Sequence, residues 1–178
     1  MLIVKYNIVA FVLVIISSLL IEYKTPMDIS IGNLLYLPMG AAIFSYLLYG
    51  FGVLPGLAVA NTLIGYFIWG NWFGLGLTGF FGHVVVGSLA PIAAILTMRY
   101  FKLSKFYDDG DLNFRHVIFL VILTALINAL LKFFIFMNAL PEFHAPVQFI
   151  LTHFVSNTLG GLVFIYGASR LSNFLVKR

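Results

Sequence analysis

Residues 116–137 read HVIFLVILTALINALLKFFIFM, an apolar run whose only Lys, Arg, Asp or Glu is Lys132. About 20 predominantly apolar residues are enough to cross the hydrocarbon core of a bilayer as an α-helix. The run lacks the two-residue alternation of polarity that a strand of a membrane barrel would show. The stretch therefore predicts a transmembrane helix, and similar runs recur along the chain.

The composition of the whole chain is that of a membrane protein. Of its 178 residues, 62% are hydrophobic and 9% are charged, whereas about a quarter of the residues in a soluble domain are charged. We predict one all-α domain, residues 1–178, built as an integral membrane bundle of six transmembrane helices. The helices are expected at about residues 7–21, 34–49, 55–69, 75–98, 116–137 and 147–168.

Several functional classes are excluded by what the sequence lacks. The chain has no cysteine, so it cannot form disulfides, iron–sulfur clusters or thiolate metal sites. It has neither a GxxxxGK[ST] phosphate loop nor an HExxH metal motif. No carboxylate is predicted within the membrane, where a general base would be needed. We therefore expect the protein not to be an enzyme.

The basic residues are distributed asymmetrically between the two ends of the predicted helices. The net charge is +4, but the basic residues flank apolar runs, which indicates membrane topology and not nucleic-acid binding. Because cytoplasmic loops are rich in Lys and Arg, we predict that both termini are cytoplasmic and that the first helix is not cleaved. We expect the protein to lie in the bacterial cytoplasmic (inner) membrane, in contact with lipid. If the N-terminus is inside, the cytoplasmic segments hold Lys5, Arg99, Lys102, Lys105, Arg115, Arg170, Lys177 and Arg178, and the opposite side holds Lys24.

The segment from Arg99 to Arg115 is the one substantial polar loop. It carries charges of both signs, which can specify a partner because electrostatic complementarity sets specificity and association rate. The alternative is an ordinary solvated connector. The candidate docking residues are Arg99, Lys102, Lys105, Asp108, Asp109 and Asp111.

Polar residues also occur at one depth inside the predicted helices. At a rise of about 1.5 Å per residue, they lie roughly 8–15 Å below the extracytoplasmic surface. Such groups are costly in hydrocarbon unless they are paired or hydrated. They either join helices by hydrogen bonds or line an outward-facing ligand pocket. The residues are Asn61, His83, Asn128, Lys132, His153 and Asn157.

Two of these residues raise the possibility of haem. His83 and His153 lie at similar depths on different helices, as the axial ligands of a b-type haem would. Histidine in a helix bundle has commoner uses, including hydrogen bonds between helices. We therefore expect no cofactor.

Short motifs along the chain resemble the first type of membrane-associated sensor domain (MASE). The resemblance covers about residues 33–170 and rests on the order and spacing of its pieces. They are Leu37-Pro38-Met39-Gly40-Ala41-Ala42, Leu48-Tyr49-Gly50, Leu54-Pro55-Gly56, Ala60-Asn61, Leu126-Ile127-Asn128-Ala129 and Ser156-Asn157-Thr158-Leu159-Gly160-Gly161.

The resemblance implies the sensory part of a signalling protein, and some such domains detect a partner membrane protein. Ser156-Asn157 replaces an acidic residue that these domains often have, and we expect no output domain after Arg178. We therefore expect a stand-alone sensory or scaffold membrane subunit that acts through a partner protein. One alternative is the substrate-binding component of an energy-coupling-factor vitamin transporter, which is also a six-helix bundle. Another is an accessory subunit of an electron-transfer or light-harvesting complex.

Overall fold

The computed structural model describes residues 2–21, 34–67, 76–108, 111–137 and 146–176. The described residues form six helices: α1 (Leu2–Ile21), α2 (Leu37–Tyr49), α3 (Leu54–Phe67), α4 (Leu77–Tyr100), α5 (Phe114–Phe136) and α6 (Pro146–Val176). A 3₁₀ turn at Phe51–Val53 precedes α3, and a π-helical segment at Phe81–Val85 lies within α4. Two-residue strands, β1 (Tyr107–Asp108) and β2 (Asp111–Leu112), pair antiparallel between α4 and α5. The prediction of an all-α protein is confirmed apart from this hairpin.

Four of the described helices, α1, α4, α5 and α6, are long and apolar enough to cross a membrane. These are the features of a multi-pass membrane protein. Helix α2 has 13 residues, or about 20 Å at 1.5 Å per residue, and begins at Leu37 because Pro38 favours a first turn. Helix α3 is also short, with 14 residues. Six membrane spans and cytoplasmic termini therefore stay predictions.

The helices form a closed ring of packed neighbours. Helix α1 packs against α2 and α3, α3 packs against α4, α4 against α5, α5 against α6, and α6 against α2. Helix α2 also packs against α4 across the ring, and its residues from Pro38 to Ile43 are all buried. The centre of the core is therefore built around the shortest helix.

The start of α1, the α2–α3 turn and the end of α4 lie together at one end of the bundle, which we call the basic end. The Asn7 side chain donates to the Gly52 carbonyl over 2.8 Å and accepts from the Gly56 amide over 2.7 Å. The Arg99 guanidinium lies 5.1 Å from the centre of the Phe51 ring. These contacts agree with helices that alternate in direction.

The β1–β2 hairpin is fixed to the basic end of the core and is more ordered than the loop that the sequence predicts. Phe106 is buried in the core cluster, and its carbonyl accepts a hydrogen bond of 2.8 Å from the Asn113 amide. Asn113 also caps α5 by accepting from the His116 amide. The base of the hairpin is therefore anchored to the core.

At the opposite end, the segment before α2 lies directly against α6. The Tyr36 amide donates to the Ser156 carbonyl over 3.0 Å. A Cβ atom on Gly160 would overlap the backbone of Tyr36, so only glycine permits this approach. The contact holds Tyr36 beside the buried polar residues at this end of the bundle.

Candidate functional site

The six predicted ligand residues lie on four helices that pack around one part of the bundle. Asn61 is on α3, His83 on α4, Asn128 and Lys132 on α5, and His153 and Asn157 on α6. All are buried except His153, which is partly buried. Counted from the end of each helix opposite the basic end, they lie about 6–16 Å inside the bundle. The predicted common depth is therefore compatible with the observed helix ends.

Asn61 belongs to a hydrogen-bonded connection among three helices. Its amide donates to the Ser88 hydroxyl on α4 over 3.0 Å. The Tyr46 hydroxyl on α2 donates to the Ser88 carbonyl over 2.8 Å. A Cβ atom on Gly87 would lie 3.4 Å from the Asn61 amide nitrogen, an ordinary contact distance, so this hydrogen bond does not require glycine there. For Asn61, the geometry fits the interpretation that it joins helices.

Tyr46 and Ser88 were not among the sequence candidates for this site. Serine and tyrosine are common in apolar helices, so neither residue type indicates a contact by itself. The sequence signal was the small-residue neighbourhood Gly87-Ser88, because small residues let helices approach closely.

His83 lies in the middle of the π-helical segment of α4. Single turns of π-helix are rare and frequently occur at functional sites. The imidazole is buried and lies against the backbone of Asn61. Gly82 beside it faces the Phe136 ring, whose atoms occupy the place of a Cβ. The irregular turn therefore packs tightly against α5.

Lys132 is the charged residue of the layer and is only 5% exposed. Its ammonium lies 5.8 Å from the centre of the Tyr36 ring, a cation–π distance. It is also close enough to His83 and His153 to interact electrostatically with both. Lys132 is therefore buried beside Tyr36 and is not positioned as an isolated surface residue.

His153 is held by contacts within α6. Its Nδ1 is 3.0 Å from the Phe149 carbonyl one turn earlier, and its ring lies over the Phe149 ring with centroids 4.0 Å apart. If Nδ1 carries the proton that this contact requires, Nε2 is left as the acceptor of the ring. The contacts do not test the haem hypothesis. Among the described residues, no group of three His, Asp or Glu forms a metal site.

Asn128 is the most informative residue of the layer. It is 0% exposed, and neither its amide nitrogen nor its amide oxygen makes a hydrogen bond to any described residue. Two further buried groups also make no hydrogen bond to any described residue: the Thr124 hydroxyl one turn earlier and the Asn157 amide nitrogen on α6. Buried polar groups are nearly always hydrogen-bonded in folded proteins. These three residues therefore offer binding capacity that the described part of the bundle does not use.

The described candidate docking residues lie at the basic end but differ in their surroundings. Arg99 contacts Phe51 across the α2–α3 turn, so it also has a role in packing. Lys102 and Lys105 are exposed. The backbones of Asp108 and Asp111 are paired in the hairpin register, and Asp109 lies outside the described residues. The docking hypothesis stays a prediction.

Comparisons of the chain with protein-family models, curated proteins and solved structures find no match. The resemblance to membrane-associated sensor domains therefore depends on the sequence motifs alone.

Proposed function

We propose that this chain is a sensory subunit of the bacterial cytoplasmic membrane that binds a small polar molecule within the bundle. It passes the bound state to a partner protein at the basic end. The observation that carries the proposal is Asn128, a fully buried amide with both polar atoms unused by the described residues. Keeping such a group unsatisfied costs about 1–3 kcal/mol, a cost that a bound molecule removes.

The length of α6 favours a sensory role. The helix carries the site residues His153 and Asn157, and it continues without a break to Val176. Its 31 residues span about 46 Å at 1.5 Å per residue, compared with about 30 Å of bilayer hydrocarbon. A rigid helix of this length connects the site to the basic end. A change in its position at the site therefore moves its other end.

A distance measurement between spin labels tests this proposal. The chain has no cysteine, so Ile8→Cys and Gly167→Cys give two unique labels on α1 and α6. Ile8 is exposed, and a Cβ on Gly167 would meet nothing within 4 Å. We expect the distance distribution between the labels to shift when Asn128→Leu removes the bound molecule. An unchanged distribution would argue against transmission through α6.

An uptake measurement separates the sensory role from the substrate-binding transport subunit. The molecule released from the purified protein is supplied in radiolabelled form to cells with and without the chain. A sensor leaves uptake unchanged and alters the activity of its partner. Uptake that depends on the chain would instead assign it to transport.

A further inference from the structure

We propose that the molecule bound at this site presents an amide-type edge, a hydrogen-bond donor beside an acceptor, to a seam between α5 and α6. This inference rests on the proposed function, because it names the ligand class of the same site. The seam consists of buried polar atoms that make no hydrogen bond to any described residue. We call it the polar seam, and its members are Thr124, Asn128, Asn157 and Thr158.

Two contacts show how α5 and α6 lie side by side. The rings of Phe114 and Tyr166 have their centroids 6.4 Å apart. Further along α5, a methyl carbon of Val121 lies 2.7 Å from the place where a Cβ atom on Gly161 would be. Moving forward along α5 means moving backward along α6, so the two helices are antiparallel. The two turns of α5 beyond Val121 therefore lie opposite the turns of α6 that precede Gly161.

The members of the polar seam lie on the helix faces that make this contact. On α5, Thr124 and Asn128 are one and two turns beyond Val121. On α6, the other two members are one turn before Gly161. Residues three, four and seven apart share one face of an α-helix. The antiparallel packing therefore gathers the unused amides and hydroxyls of both helices at one interface.

Asn128 determines which chemistry fits, because both halves of its fully buried amide are unused. The amide nitrogen donates two hydrogen bonds, and the amide oxygen accepts. A carboxylate or phosphate group has only acceptors, so it would leave the amide oxygen without a donor. An ammonium group has only donors, so it would leave the amide nitrogen without an acceptor. A primary amide, a lactam or the edge of a nucleobase satisfies both atoms at once.

The other members of the polar seam fit the same ligand class. A threonine hydroxyl both donates and accepts, and the unused Asn157 nitrogen donates. Buried polar groups are nearly always hydrogen-bonded in folded proteins, and no member of the seam carries a charge that would need a counterion. The seam therefore matches a small neutral molecule. Water also donates and accepts, so the test must distinguish such a molecule from water.

The first measurement identifies what the purified protein releases. The parent protein, Asn128→Leu, Thr124→Val and Thr97→Val are purified in a gentle detergent, denatured and extracted for mass spectrometry. Thr97→Val is the matched control for Thr124→Val, because the Thr97 hydroxyl donates to the Ala93 carbonyl within α4 over 2.8 Å.

We expect one neutral amide, lactam or nucleobase compound to be at least about tenfold more abundant in the parent and Thr97→Val proteins than in Asn128→Leu, as loss of a donor and an acceptor predicts. Thr124→Val should lower its amount too. An enriched molecule without an amide-type edge would overturn this inference and leave the proposed function standing. No enriched molecule would overturn both and assign the polar seam to water. If Asn128→Leu does not fold, the comparison of Thr124→Val with Thr97→Val decides.

Rebinding to ligand-depleted protein tests the amide-type edge itself. Acetamide and pyrrolidinone are the probes, since each has an N–H group beside a carbonyl. Their references are N,N-dimethylacetamide and N-methylpyrrolidinone, which keep the carbonyl but lack the donor. We expect at least one probe, but not its reference, to raise the Tm of the parent and Thr97→Val proteins and to leave that of Asn128→Leu unchanged. No rise with either probe, or an equal rise with the reference or in Asn128→Leu, would overturn the inference.

Discussion

Replacing Asn128 with leucine should stabilise the ligand-depleted protein, although asparagine is the residue that occurs there. Asn128 is fully buried, and its amide makes no hydrogen bond to the described residues. Leucine has the same number and branching of side-chain heavy atoms, and it has no polar atom that needs a partner. The comparison variant is Asn61→Leu, which makes the same chemical change on α3 but removes the hydrogen bond to Ser88.

The expected changes in the free energy of unfolding have opposite signs. A buried amide without partners costs about 1–3 kcal/mol, so Asn128→Leu should gain about 1 kcal/mol after some loss of packing. Asn61→Leu should lose about 1 kcal/mol, since hydrogen bonds between membrane helices contribute about 0.6–2 kcal/mol. For a chain of this length, 1 kcal/mol corresponds to about 2–4 °C in Tm. The two variants should therefore differ by several degrees.

Thermal unfolding followed by circular dichroism in detergent measures both Tm values. The measurement is repeated after adding back the molecule that is released from the purified parent protein, which carries neither substitution. At about 100 times its Kd, this molecule should stabilise the parent by about 2.7 kcal/mol, which reverses the order of the parent and Asn128→Leu. If Asn128→Leu is destabilised as much as Asn61→Leu in depleted protein, Asn128 joins helices and the ligand-site argument is refuted.

The remaining predictions concern packing, a helix end, topology and docking. Gly160→Ala should lower the Tm by an amount equivalent to about 1–3 kcal/mol of overpacking, because its Cβ would overlap the backbone before α2, whereas Gly167→Ala should not lower it. Lys102→Gly should raise stability by up to about 1 kcal/mol, since Lys102, two residues after the end of α4, has a φ of 58°; an unchanged Tm would show that this backbone conformation carries no strain. Reporter fusions at residues 108–111 and after Arg178 should both report cytoplasm, and an extracytoplasmic signal at either place would reject the topology. Deleting residues 108–111 should abolish partner pull-down but not membrane insertion, and unchanged pull-down would reject the docking role.

The sequence by itself determined the class of the fold and the approximate positions of the helices. Bilayer hydrocarbon cannot hydrogen-bond to the backbone, so an apolar run long enough to span it must be helical. This reasoning located α1, α4, α5 and α6 and marked the charged segment between α4 and α5. The same reasoning selected Asn128 and Lys132, because an amide or an ammonium in an apolar run has a cost that needs an explanation.

Only the tertiary structure distinguished among the polar residues of the layer. Asn61 and Asn128 are the same residue type in similar apolar surroundings, yet Asn61 bonds to Ser88 and Asn128 to no described residue. Likewise, Gly160 is required by the Tyr36 backbone, whereas Gly167 faces open space. Hydrogen bonds and close approaches depend on distances of a few tenths of an ångström between different helices. Apolar patterning within a single helix does not encode those distances.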